Sequence, residues 1–121
     1  RKHSWIADEP LDAGGNDLGP TPYELLSSAL ATCTAITLKM YAKRKNWDTG
    51  EIKVMVEHGR NYTDDCEQCD DDSKLIEGFK RTLVFDERLD TEKKNRLLQI
   101  ADRCPVHKTL SKKSRIDTVI N

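Results

Sequence analysis

The residues of this chain best suited to chemistry are cysteines, and two of its four lie in settings that favour a reactive thiol. Cys33 lies in a stretch that has no charged residue between Glu24 and Lys39. Cys104 precedes Pro105 at a predicted helix start, where free backbone N–H groups favour the thiolate. Two thiols in such positions indicate dithiol chemistry more than a disulfide scaffold, although a buried free cysteine is also a common small core residue.

The other two cysteines lie in the sequence Cys66-Glu67-Gln68-Cys69, within an acidic segment. One Cys-x-x-Cys pair supplies half of a zinc site, so completion would need a second copy of the chain or a residue such as His58. Surrounding carboxylates raise the pKa of a thiol and disfavour redox activity. We expect a solvated loop without metal and keep Cys66 and Cys69 as candidate metal ligands.

The composition of the chain is that of a soluble single domain, predicted over residues 1–121. The chain is 36% hydrophobic and 34% charged, and its formal net charge of −1 gives no general attraction to nucleic acid or to an anionic membrane. The uncharged stretch Leu25–Leu38 is shorter than the ~20 apolar residues that span a bilayer. Because no secretory signal is visible and free thiols are typical of reducing compartments, we expect a cytoplasmic protein.

A long helix is predicted to begin at Pro22 and to run to about Lys45. Thr21 can cap it, proline suits the first helical position, and Glu24 completes a Thr-x-x-Glu capping box. One apolar stripe runs along this helix at helical spacing, and further apolar residues lie beside the stripe. The stripe consists of Leu26, Leu30, Cys33, Thr37 and Met40. One chain of this size can scarcely cover such a helix, which favours a homodimer.

Alternation, turn residues and capping signals predict the remaining elements. We expect strands at His3–Ala7, Glu51–Arg60, Leu75–Phe85 and Ser114–Ile120, a helix capped by Asp90 or Thr91, and a short helix from Pro105 to about Leu110. The resulting order is β-α-β-β-α-α-β, an α+β fold.

The contexts of both reactive cysteines resemble those of the OsmC/Ohr family of osmotically inducible and organic hydroperoxide resistance proteins. The matching segments are Gly19-Pro20-Thr21-Pro22-Tyr23-Glu24-Leu25-Leu26, Ala31-Thr32-Cys33-Thr34 and Ala101-Asp102-Arg103-Cys104-Pro105-Val106-His107. The resemblance implies an OsmC-like α+β fold with a long central helix and an antiparallel sheet, assembled as an intertwined homodimer.

The resemblance also implies a chemistry for the two thiols. Cys33 would attack an organic hydroperoxide, and Cys104 would resolve the resulting sulfenic acid as a disulfide. Electrons would come from an external dithiol, by family analogy a lipoylated protein, and neither a metal nor an organic cofactor would be needed. We therefore predict a thiol-dependent peroxidase. The alternative is a non-peroxidase of the same fold, either a module that binds hydrophobic ligands or an accessory domain of a larger enzyme.

The chain departs from the family pattern at the carboxylate. Family peroxidases carry a catalytic Glu directly after the helix-opening Pro, a position that Tyr23 occupies here, with Glu24 one residue later. Nine residues separate Glu24 from Cys33, which puts them on opposite faces of an ideal helix. We interpret Glu24 first as a capping residue and keep both Glu24 and Tyr23 as candidate catalytic residues.

The thiolate's cationic partner is also unassigned. The family places an Arg on an early strand, which here would precede His3, so we expect one or more N-terminal strands to be missing from this sequence. His107 is a further candidate catalytic residue because it lies one helical turn after Cys104. Arg1 and His3 are the other cations to consider.

Overall fold

The structure, a computed structural model, describes residues 1–62 and 75–120 of the chain. After a single 3₁₀ turn at Leu11–Ala13, the elements in chain order are helix α1 (Pro22–Arg44), strands β1 (Ile52–Tyr62) and β2 (Leu75–Phe85), and helices α2 (Thr91–Ala101) and α3 (Pro105–Leu110). The two strands pair with each other in a small antiparallel sheet. The predicted α+β class is confirmed.

The described chain divides into two compact units, each built from two segments. The first unit comprises Arg1–Ala29 and Val56–Thr82, and the second comprises Leu30–Met55 and Leu83–Asn121. The long helix and both strands contribute residues to each unit. Cys33 and Cys104 both belong to the second unit.

The start of α1 is fixed by the predicted capping box. The Thr21 N–H donates to Glu24 Oε2 at 2.7 Å, and the Glu24 N–H donates back to Thr21 Oγ1 at 3.2 Å. These two bonds satisfy donors that a helix start otherwise leaves unpaired. By length and composition alone α1 could cross a bilayer, a property that core helices of soluble proteins share.

The end of α1 is a Schellman motif centred on Asn46. This residue has φ 55°, in the left-handed region that asparagine tolerates better than most residues. The Trp47 N–H donates to Ala42 O at 2.9 Å, and the Asn46 N–H donates to Lys43 O at 3.1 Å. Both bonds satisfy carbonyls of the last turn and stop the helix.

The core of the second unit lies between α1 and α2. Leu38 of α1 and Leu97 of α2 are fully buried, and α2 is fixed at its start by the Asp90 carboxylate, which accepts the Lys93 N–H at 2.8 Å. The buried cluster and the half-buried residues packed on it are Leu38, Tyr41, Leu89, Leu97, Ile100, Ala101, Trp47, Ile52, Leu83 and Phe85. This packing holds α2, and hence the segment that follows it, against α1.

Two predicted strands are wrong within the described residues. His3–Ala7 has no strand structure, and Asp8 instead donates its backbone N–H to Pro20 O at 3.2 Å. Ser114–Ile120 is exposed throughout and forms no strand either. Alternation makes a segment compatible with a sheet, but a strand also needs a neighbouring strand with which to pair.

The buried face of α1 is displaced from the predicted stripe. Leu26 and Met40 are 41% and 68% exposed, while the buried residues are Leu30, Thr34, Leu38, Tyr41 and Ala42. Cys33 therefore lies beside the buried face and is only partly covered.

Candidate active site

Cys33 and Cys104 interact with each other within the second unit. Cys33 lies on α1 and is partly exposed, whereas Cys104 is completely buried. A tight turn positions Cys104, because the Arg103 N–H donates to Ile100 O at 2.9 Å as α2 ends and Pro105 begins α3 directly afterwards. Both cysteines are free thiols.

The surroundings of Cys33 favour its protonated form. Burial raises the pKa of the Cys33 thiol, and its hydrogen-bonding interaction with Cys104 raises it further. The Val106 N–H and the Thr37 hydroxyl lower this pKa, but by less than burial and Cys104 raise it. Cys33 therefore keeps a proton more readily than an ordinary cysteine.

The surroundings of Cys104 favour the thiolate. Burial alone would raise the pKa of Cys104, but interactions with the Cys33 thiol, the backbone N–H groups of His107 and Val106, and the Thr34 hydroxyl together lower it. The predicted helix-start environment is thus present at α3. Because the two thiols interact, their proton losses belong to the pair and not to either cysteine alone.

An open groove of about 850 Å³ is lined by residues that adjoin the two cysteines. Thr37 lines the groove, and its hydroxyl also interacts with the Cys33 side chain. Pro105, the residue after Cys104 in the chain, lines the groove as well. The apolar lining includes Met40 and Ile100, and three cations lie along the groove, namely Lys43, Arg44 and Arg103. The arrangement offers apolar surface next to a partly exposed thiol.

Tyr23 and Glu24 belong to the first unit and are engaged there. The Tyr23 ring stacks on the His58 ring, with centroids 4.1 Å apart and planes at 16°. His58 also pairs with the Glu77 carboxylate. The Glu24 carboxylate accepts the Thr21 N–H in the capping box, as predicted from the sequence.

His107 contributes to the thiol pair through its backbone and not through its ring. Its backbone N–H lowers the pKa of Cys104, while its ring Nδ1 lies 3.7 Å from Asp102 Oδ1. Arg1 and His3 are exposed. Sequence reasoning missed Thr34 and Thr37, although their positions next to Cys33 and one turn after it were a usable signal.

The proposed metal ligands Cys66 and Cys69 lie outside the described residues. Across residues 1–62 and 75–120, no group of three or more His, Cys, Asp or Glu side chains is arranged to hold a metal ion.

A family model described as OsmC-like protein matches residues 14–119 of the chain. The chain belongs to the OsmC-like protein family. The match covers both cysteine contexts and the five α-helices and strands of the described residues, so the resemblance inferred from the sequence is confirmed.

Solved structures agree with this OsmC-like assignment. The chain is similar to a protein of Psychrobacter arcticus named for osmotic stress induction and detoxification, with 20% identity, TM-score 0.66 and coverage of 85% of this chain and 69% of that one. An organic hydroperoxide resistance protein of Legionella pneumophila matches with 15% identity, TM-score 0.64 and coverage of 85% and 70%. One from Bacillus subtilis matches with 22% identity, TM-score 0.60 and coverage of 81% and 66%.

These likenesses establish the OsmC-like fold of the chain. At such low identity they carry no residue roles, and the chain spans about two thirds of the length of each of these structures. No match to a curated protein is found.

Proposed function

We propose that this protein is a thiol-dependent peroxidase that reduces organic hydroperoxides through a Cys33–Cys104 dithiol/disulfide cycle. The observation that carries the proposal is the interaction of a partly exposed thiol with a fully buried one beside an apolar groove. Family membership supports it, since two of the similar structures are named as organic hydroperoxide resistance proteins.

The different exposure of the two thiols suits different tasks. Cys33 can meet a bulky oxidant, and its sulfur attacks the outer peroxide oxygen to give a sulfenic acid and an alcohol. Cys104 is shielded from solvent but in contact with Cys33, so it can displace the sulfenic oxygen as water and form the disulfide. An external dithiol, such as a lipoylated protein, then reduces the disulfide by exchange.

The groove supports a preference for organic substrates. Met40 and Pro105 offer apolar surface to an alkyl or aryl tail, and hydrogen peroxide has no tail to bury there. Bulky organic hydroperoxides are therefore expected to react faster than hydrogen peroxide. We further propose that the protein acts as a homodimer in the cytoplasm, where dithiol reductants keep thiols reduced.

The proposal is tested with the complete gene product, cumene hydroperoxide and a dithiol reductant. Cys33→Ser should abolish hydroperoxide consumption. Cys104→Ser should oxidise once and then stall at the sulfenic acid or proceed to the sulfinic acid, as read by mass spectrometry. The Cys66→Ser/Cys69→Ser double variant is the matched control and should turn over like the parent protein. A parent protein that leaves the hydroperoxide untouched while Cys33 stays a thiol contradicts the proposal.

A second candidate function is a module that binds hydrophobic ligands, or an accessory domain of a larger enzyme. The Glu24 carboxylate favours it, because that group is held by the Thr21 N–H and family peroxidases use a carboxylate near this position in catalysis. Saturable binding of apolar ligands by a protein with an inert Cys33 would support this function.

A further inference from the structure

We propose that the reductant of the Cys33–Cys104 disulfide is a protein that carries its dithiol within an acidic surface, and that it docks on three cations of the groove. These groove cations are Lys43, Arg44 and Arg103. The inference rests on the proposed peroxidase function, which requires an external dithiol and leaves the charge of its carrier open. It gives a task to cations that neither the thiol chemistry nor the apolar part of the groove uses.

The charges of the chain are divided unequally between its two units. The second unit contains 14 Lys and Arg against 8 Asp and Glu, whereas the first contains 6 against 13. The net charge of −1 for the whole chain therefore hides a positive unit, and this unit carries both Cys33 and Cys104. At physiological salt the Debye length is about 8 Å, so a partner close to Cys33 responds to nearby charges and not to the net charge of the chain.

The groove cations lie where a reductant must arrive. All three are exposed, and they line the groove together with Thr37 and Pro105. Thr37 Oγ1 donates to Cys33 O at 2.8 Å, and Pro105 is the residue after Cys104. A dithiol that enters the groove therefore meets these cations next to the cysteines.

The groove cations lack the carboxylate partners that other cations of the second unit have. Arg88 Nη1 lies 3.4 Å from Asp48 Oδ2. Arg115 Nε lies 2.9 Å from Asp117 Oδ1. Within residues 1–62 and 75–120, no groove cation forms such an ion pair. Their positive charge is thus available to acidic groups of another molecule.

The exposure of the two cysteines decides which sulfur the reductant attacks. Cys33 is partly exposed and Cys104 is completely buried, so one reductant thiolate attacks the Cys33 sulfur. The bond between the two cysteines breaks, Cys104 takes the proton that the reductant thiol lost, and the reductant is held on Cys33 as a mixed disulfide. The second reductant thiol then attacks the reductant sulfur of that bond and passes its proton to Cys33, which leaves as a thiol. The reductant loses two electrons and becomes a disulfide, and the two cysteines gain them.

A protein with acidic residues around its dithiol fits the groove cations better than a nucleic acid does. Both carry the negative charge that these cations attract, but only a dithiol supplies the electrons that the cycle needs. Complementary charge raises the rate of encounter between proteins by about 10-fold or more at low salt. A small neutral dithiol gains nothing from it.

The first test compares two synthetic peptides that carry the same dihydrolipoyl-lysine, one with Glu and the other with Lys on both sides of it. The complete gene product, with Cys66→Ser and Cys69→Ser, is first oxidised to the Cys33–Cys104 disulfide with diamide, so the test does not depend on hydroperoxide. At low salt the acidic peptide should reduce this disulfide about 10-fold faster than the basic peptide. The two rates should become equal at about 1 M salt, where the Debye length is about 3 Å. Thiol alkylation and mass spectrometry follow the reduction.

Each outcome of this comparison bears on one claim. Equal rates for the two peptides at low salt, or a faster basic peptide, would overturn the inference, and so would a failure of diamide to form the disulfide. Equal rates together with tight binding of duplex DNA would assign the groove cations to nucleic acid instead. A protein that prefers the acidic peptide but leaves cumene hydroperoxide untouched would contradict the proposed function and not the docking surface.

Two double variants locate the docking surface. Arg44→Gln/Arg103→Gln removes two groove cations at exposed positions, so the preference for the acidic peptide at low salt should fall about 3-fold. Arg88→Gln/Arg115→Gln is the matched control, because it removes two exposed arginines of the same unit that do not line the groove, and it should keep the preference of the parent protein. Equal decreases in the two double variants would place the effect in the overall charge of the unit and overturn the docking surface.

Discussion

Thr34 and Thr37 place two hydroxyl groups beside the thiol pair before any reaction begins. Thr34 Oγ1 donates to Leu30 O at 2.7 Å, and Thr37 Oγ1 donates to Cys33 O at 2.8 Å. Each hydroxyl has one proton, so it satisfies a helix carbonyl while the adjacent thiol is neutral and can turn to the sulfur when charge develops there. The same two side chains can therefore serve both protonation states of the pair.

Glu24 is a residue whose position in the capping box argues for stability before catalysis. Glu24→Gln keeps an oxygen that can accept the Thr21 N–H, so melting temperature and hydroperoxide turnover should both stay near those of the parent protein. Thr21→Ala removes the other half of the box and should cost about 1 kcal/mol of unfolding free energy. Thermal melting and steady-state assays measure the two quantities.

Tyr23→Phe is the matched control for Glu24→Gln. It removes a hydroxyl at the preceding residue and keeps the ring stacked on His58. Turnover should again be retained. A collapse of turnover in Glu24→Gln with unchanged melting would assign a catalytic role to the carboxylate. The same result in Tyr23→Phe would assign that role to the phenol.

At the scale of elements, the turn before β1 depends on a glycine. Gly50 has φ 55°, and a Cβ added there would lie 2.6 Å from Asp86 Oδ2. Gly50→Ala should therefore lose about 2 kcal/mol of unfolding free energy, from left-handed backbone strain alone, and more from the clash. Chemical denaturation measures this loss.

Gly59 of β1 is the matched control for this substitution. A Cβ added there meets nothing within 4 Å, and no positive φ is recorded for it. Gly59→Ala should be neutral or slightly stabilising, because alanine restricts the unfolded chain. Equal losses in the two variants would mean that the strain argument at Gly50 is wrong.

The elements predicted correctly from the sequence have local signals at their ends. The Thr21–Glu24 box and Pro105 mark the starts of α1 and α3, and Asp90 caps α2. The false strands at His3–Ala7 and Ser114–Ile120 had alternation but no partner, and pairing is a tertiary property that alternation does not contain. Local signals therefore located the helix starts and could not locate every strand.

The sequence predicts the two cysteines of the candidate site, but it predicts fewer of the residues that surround them. The motifs singled out Cys33 and Cys104, but their interaction depends on α2 packing against α1, with Leu97 and Leu38 both fully buried. That contact joins residues far apart in the chain. The predicted apolar stripe is centred on Cys33, whereas packing buries the face that carries Thr34, so the stripe does not indicate the Thr34 hydroxyl.

At the scale of the whole molecule, the second unit leaves apolar side chains uncovered. Ile36 and Met40 lie one turn apart on α1 and are 54% and 68% exposed, and Leu98 of α2 is 58% exposed. Apolar surface on one helix face is typical of an interface with another chain. The homodimer predicted from the sequence stays a prediction, and these residues are where it can be tested.

Light scattering on the complete gene product should give the mass of a dimer at micromolar concentration. Ile36→Glu should shift the protein toward monomer, because a carboxylate buried in an apolar interface without a partner is costly. Asn95→Glu adds the same charge at an exposed position of α2 and should leave the mass unchanged. A parent protein that is a stable, folded monomer contradicts the prediction, and a dimer that survives Ile36→Glu would mean that this face of α1 is not the interface.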